Sequence, residues 1–174
     1  MTSPSSTQPV PERITEAFAR FAQAIAAKES IPTPALHVRA AASEHLPDGA
    51  LVTLWIGVAE GVKSRCFHVD VAAADGQSAT GQGACGAPDN HVSLSRAGSL
   101  VVGSVGIHRA DTVRVTTPHG TAILQVTASY FLIPPYLSPE RDVRHTVVLL
   151  RSTGTRLGQV AGLLAPGSAV PAKP

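Results

Sequence analysis

At 174 residues the chain is long enough for one domain, or one domain with tails, whose apolar core needs no staple. Hydrophobic residues make up 44% and charged residues 15%, a balance that excludes full disorder. A formal charge of +2 is too small to draw in a phosphate backbone, and four Phe, two Tyr and one Trp are too few for base-stacking platforms, so nucleic acid is excluded as a partner.

In chain order, residues 1–10 are rich in Ser, Thr and Pro and read as a tail. Within 11–30, Ile14, Phe18, Phe21 and Ile25 recur on one helical stripe, with Pro11 and Glu12 suiting the first turn and Glu16 pairing with Arg20. This predicts an amphipathic helix that joins the chain either to its own sheet or to another copy. Residues 31–50 read as a linker or a weak helix over Pro34–His45, in which Leu36-His37-Val38 could equally be extended.

From Leu51 the period becomes two. Strands are predicted at Leu51–Ala59, Arg65–Ala73, His91–Leu94, Leu100–His108, Asp111–Thr117, Thr121–Ile133, His145–Arg151 and Arg156–Leu163, with turns at Asp75-Gly76, Pro118-His119-Gly120, Pro134-Pro135 and Thr153-Gly154. Strands without helices between them exclude βαβ units. The expected fold is mainly β: an antiparallel β-sandwich of about seven to eight strands over 51–165, Ig-like or similar, with the N-terminal helix beside it. Residues 166–174 read as a second tail.

The stretch Val101–Leu163 resembles β-sandwich modules of uncharacterised proteins from high-GC bacteria, many of them membrane-anchored and extracytoplasmic. The shared order is a strand, a Gly turn, a long strand ending in an aromatic-Phe pair (Tyr130-Phe131), a Pro loop (Pro134-Pro135) and a hairpin with a Thr-Gly turn (Thr153-Gly154). The resemblance implies the same sandwich fold and carries no catalytic residue; the sequence departs from it in showing no anchor.

Four features bear on chemistry. Gly81-Gln82-Gly83-Ala84-Cys85-Gly86 matches G-x-G-x-x-G, but Ala87-Pro88-Asp89-Asn90 and a strand follow where a phosphate-cradling helix would be needed, so the expectation is a flexible Gly loop and no cofactor. Cys66, His68 and Asp70 lie at i, i+2 and i+4 on one strand face, the composition of a nucleophilic relay or part of a metal site. Same-strand neighbours stand parallel rather than aimed at one another, so the row is expected to be a polar outer face. Cys66 and Cys85 bracket the Gly-rich stretch and could close one disulfide if their Cα atoms approach within about 7 Å. Trp55 sits opposite Val52, Leu54, Ile56 and Val58 and must be covered, by the helix stripe or by a ligand or partner.

The seven histidines His37, His45, His68, His91, His108, His119 and His145 lack short paired spacings and read as surface residues. The basic excess of Arg141, Arg144, Arg151, Arg156 and Lys173 over Glu140 and Asp142 reads as a solvated sheet face. The expected function is therefore a noncatalytic binding or interaction module, sensory or a subunit of an assembly, with a protein partner or self-association. Its small-molecule ligand is unspecified. The alternative is a thiol enzyme or metalloprotein built on Cys66, His68 and Asp70, the metal variant using His68, Asp70 and a histidine from a neighbouring strand. Without an export signal or an 18-residue apolar run, the expectation is no membrane insertion and a cytoplasmic chain if Met1 is the native start; the other setting is an extracytoplasmic domain of a longer anchored protein.

Overall fold

The apolar stripe forms helix α1, Glu12–Glu29, in a computed structural model that describes residues 9–86, 91–97, 99–106 and 110–165. Pro11 caps its start with non-helical φ and ψ of −59° and 149°, and its carbonyl accepts the N–H groups of Ile14 and Thr15 at 3.0 and 3.1 Å. Ser30 ends the helix in the left-handed region at φ 53°. Residues 1–8 of the expected 1–10 tail, and all of the expected tail 166–174, lie outside the described residues.

Eleven strands follow among the described residues, all paired antiparallel, so the protein is mainly β with one α-helix near its N-terminus. The chain divides after Ala87 into two compact units. In the first, β1 (His37–His45), β2 (Leu51–Val58), β3 (Arg65–Ala72) and β4 (Ala79–Gly86) form a sheet in that order. Asp48 and Asp75 stabilise the β1–β2 and β3–β4 turns by accepting the backbone N–H two residues on, at 2.9 and 2.8 Å.

In the second unit, β7 (Thr112–Thr117), β8 (Gly120–Gln125), β10 (His145–Leu150) and β11 (Arg156–Leu163) form a sheet ordered β11-β10-β7-β8, and β5 (Val92–Ala97), β6 (Leu100–Val105) and β9 (Tyr130–Ile133) form another ordered β5-β6-β9. Val92, Leu94, Val101, Val105, Val113, Val115, Phe131, Ile133, Val147 and Leu149 from both sheets share one core, which makes this unit a β-sandwich. Buried Arg96 donates to the Ser138 carbonyl at 3.2 Å, the Ser138 hydroxyl at 2.9 Å and the Glu140 carbonyl at 2.7 Å, which ties the loop after β9 to β5.

Four expectations are corrected. Pro34–His45 is not a weak helix, because His37–His45 pairs with β2 along its length through a bulge between Ala40 and Ala42. The Gly81–Gly86 stretch is strand β4 rather than a flexible loop, each residue opposite one of β3. Thr121–Ile133 is two strands in different sheets, separated by a turn at Ala128 and Ser129, both with positive φ. The expected single sandwich over 51–165 is divided: β2 and β3 share their core with α1, and only the later strands build the sandwich.

The α1 core joins Ile14, Phe18, Ile25, Trp55 and Cys66, with Phe21 half-buried at its margin. Burying such side chains contributes roughly 1.5 to 3 kcal/mol each. The helix can seat because β2 has no side chain at Gly57, where an added Cβ would stand 2.6 Å from the Phe18 ring. Gly57→Ala is therefore expected to destabilise the protein by about 1 to 3 kcal/mol in urea unfolding. Gly86→Ala, whose added methyl meets nothing within 4 Å, should stay within about 0.5 kcal/mol of wild type; equal effects of the two substitutions would reject the close-seating account.

Candidate functional site

Strand β3 places Cys66, His68 and Asp70 on one face because alternate residues of a strand point the same way. Their partners across the ladder are Gly57, Trp55 and Thr53 on one side and Cys85, Gly83 and Gly81 on the other. This is the face that α1 covers, so the expectation of a solvated outer face is overturned. Three polar residues are tolerated there because each has a specific companion.

Cys66 is fully buried and joined to Cys85 by a disulfide, with a Cα separation of 4.1 Å. Asp70 is 4% exposed and accepts two hydrogen bonds from Arg13 of α1, from Nε to Oδ1 at 3.0 Å and from Nη2 to Oδ2 at 2.7 Å. This forked geometry fixes the guanidinium plane and compensates the buried carboxylate. His68 packs against both Phe18 and Phe21, with ring centroids 6.4 Å from each. Those two phenyl rings meet edge to face at 5.4 Å and 88°.

The His68 Nδ1 is buried without a hydrogen-bond partner. Burial pulls the imidazole below its ordinary value of 6.5; nearby Asp70 opposes this, while Arg20 and Arg13 reinforce it. The glycines of β4 complete the layer. A Cβ on Gly81 would collide with the His68 Nε2, and one on Gly83 would stand 2.8 Å from the Phe21 Cζ.

Chemically, this layer is arranged for docking. The thiol of Cys66 is tied up as a disulfide sulfur, and the carboxylate that would orient His68 is engaged by Arg13 instead. Among the described residues no three His, Cys, Asp or Glu side chains gather where they could hold a metal ion. Arg13 was missed by sequence reasoning. It lies 57 residues from Asp70, and its only sequence signal is a cation immediately before the stripe's first residue, Ile14.

The stripe residues Ile14, Phe18, Phe21 and Ile25 converge with Trp55 in this layer. Trp55 is 1% exposed, so it offers no contact surface of its own. His37, His45, His91 and His119 are exposed, as are Arg141, Arg144, Arg151 and Arg156; His108 and Lys173 lie outside the described residues. His145 departs from the surface expectation: it is fully buried, its Nδ1 lies 2.9 Å from the Leu163 carbonyl, and burial lowers its pKa.

Beside this layer, still within the first unit, an open groove of about 540 Å3 runs between α1 and the segment leading into β1. Phe18, Ala19, Ala22, Leu36 and Val38 give it apolar walls, while Thr15, Gln23, Thr33 and His37 supply polar atoms. No protein-family model matches the chain, and no curated protein matches it significantly.

Two outcomes test this site. The disulfide closes a loop across a separation of 19 residues, and its removal by Cys66→Ser with Cys85→Ala should cost about 3 kcal/mol by the chain-entropy estimate. Alkylation of the unreduced native protein followed by intact mass should find no modified thiol, and two modified cysteines would reject the bridge. The second outcome is a pH dependence. His68 and His145 have lowered folded pKa values, so the unfolded chain binds protons first. Stability should be fully present above about pH 6.5 and fall as pH drops toward the folded values. His68→Gln should flatten part of that slope in urea titrations; an unchanged slope would show that His68 does not couple folding to pH.

Proposed function

We propose that the chain is a noncatalytic binding module, and that the groove between α1 and β1 takes a small, largely apolar molecule with one hydrogen-bonding end. The observation that carries this reading is the groove itself: about 540 Å3 of space with apolar walls and a few polar groups, within the size range of small-molecule sites. The residues with reactive chemistry lie alongside it, engaged in holding the groove's helical wall on the sheet. His37 and Gln23 are the groups suited to the polar end of the ligand.

The alternative thiol or metal chemistry would require Cys66 reduced and Asp70 released from Arg13. Elemental analysis separates the readings, since a stoichiometric metal lost in His68→Ala would defeat the binding module. The disulfide also favours an oxidising compartment, in keeping with the resemblance of Val101–Leu163 to extracytoplasmic modules. No helix among the described residues is long and apolar enough to cross a membrane.

Titration with the dye N-phenyl-naphthylamine tests the groove. Saturable binding at one site per chain is expected, weakened at least about tenfold by Ala19→Trp, because Ala19 is exposed on the groove wall and outside the buried stripe. Binding that does not saturate, or that ignores Ala19→Trp, would refute the assignment.

A further inference from the structure

Strand β4 is an edge. Among the described residues it pairs with β3 alone, and Ala79–Ala84 are exposed. Edge strands ordinarily carry charges, prolines or bulges that deter pairing with another chain. The opposite edge of this sheet, β1, has them: Arg39, Glu44, terminal histidines and a bulge. From Ala79 to Gly86 there is no charge and no proline.

The register states which backbone groups are free. Opposed residues in an antiparallel ladder alternate between hydrogen-bonded pairs, with Cα atoms about 5.5 Å apart, and non-hydrogen-bonded pairs at about 4.5 Å. The 4.1 Å separation of Cys66 and Cys85 belongs to the second kind. By alternation, Gln82 and Ala84 direct their N–H and C=O groups to β3, while Gly81, Gly83 and Cys85 direct theirs to the open edge. Two of those three have no side chain to screen the backbone.

We propose that β4 is a self-association edge, pairing antiparallel with β4 of a second copy about a two-fold axis at Gly83. Self-pairing must match outward-directed residues with outward-directed residues, and centring on Gly83 does so. Gly83 lies opposite Gly83 of the second copy, and Gly81 opposite its Cys85. The intervening pairs are Gln82 with Ala84 and Thr80 with Gly86, so no like charges oppose. The axis also keeps both helices on one face of the extended sheet. There the half-buried Phe21, whose ring tip lies over Gly83, gains apolar cover from the second copy. Pairing along one short strand falls at the small end of interface sizes, so the dimer is weak and reversible.

Sedimentation of the oxidised full chain from about 1 µM to about 1 mM spans the range in which such a dimer forms. A reversible monomer–dimer equilibrium is expected. Gln82→Lys with Ala84→Lys sets like charges opposite one another twice and should weaken the dimer at least about tenfold. Gln82→Lys with Ala84→Glu sets opposite charges in the same places and should restore it. Both positions are exposed, so melting temperatures should match wild type, and slower exchange of the Gly81 and Gly83 amides at high concentration gives a readout that needs no variant. A chain monomeric throughout overturns the proposal, as does unchanged Gly81 and Gly83 exchange. A dimer that ignores the charge pairs also overturns it and points to a different surface, of which β8 with its 64%-exposed Ile123 is the first to test.

Discussion

The close seating of α1 depends on an aromatic layer that the sheet beneath it accommodates by having no side chain at three places. Gly57 leaves room for Phe18, Gly81 for the imidazole of His68, and Gly83 for the tip of Phe21. An interior packs at the density of an organic crystal, so a methyl group at Gly57 must displace Phe18 or the helix that carries it, one at Gly81 the imidazole of His68 on β3, and one at Gly83 the Phe67 carbonyl as well as the Phe21 ring. The apolar stripe supplies the driving force, the glycines set the distance, and the Arg13–Asp70 fork fixes the helix along its length. The Ser64 hydroxyl, donating to the Glu29 carboxylate at 2.5 Å, ties down the far end.

Much of this was legible in the sequence wherever the signal was local. The stripe spacing gave α1 to within a residue or two, and period-two alternation with Asp-Gly turns gave β2, β3 and the hairpin positions. The failures occurred where the deciding partner is distant. β4 shows no apolar alternation because Gly81 and Gly83 stand at covered-face positions where apolar side chains would otherwise recur, so a strand reads as a loop. β1 is alanine-rich and polar, and its ladder with β2 decides its conformation. The turn between β8 and β9 uses Ala128 and Ser129 in left-handed conformations, with none of the glycine or proline that announces a turn. His145 looks like any surface histidine until its strand is placed with β10's inward side against the sandwich core.

The row Cys66, His68 and Asp70 shows how composition misleads without topology. A thiol, an imidazole and a carboxylate in alternation suggest a relay, and their polarity suggests water. Neither follows once the opposite sides of the ladder are known, because each side chain finds its companion on a different element: Cys85 on β4, the Phe18–Phe21 pair and Arg13 on α1. The row therefore joins α1, β3 and β4 into one layer. It carries an acid-sensitive element at its centre, since a buried imidazole must desolvate any proton it accepts.

The same economy of side chains links the helix to the sheet edge. Gly81 leaves room for His68 of β3, Gly83 for the Phe67 carbonyl and the tip of Phe21 on α1, and both are among the residues whose backbone groups face away from β3. A strand made bare on its helix face to admit aromatic rings is thereby made bare along its rim. Glycine also weakens the strand's own hold on the sheet, through the chain entropy it must lose on ordering. The Cys66–Cys85 bridge offsets that loss at the one end of β4 where a covalent tie can lie under the helix without occupying space that Phe21 or His68 needs. The aromatic layer under the helix and the uncovered edge thus share the same two glycines. A side chain at Gly81 or Gly83 would alter both together.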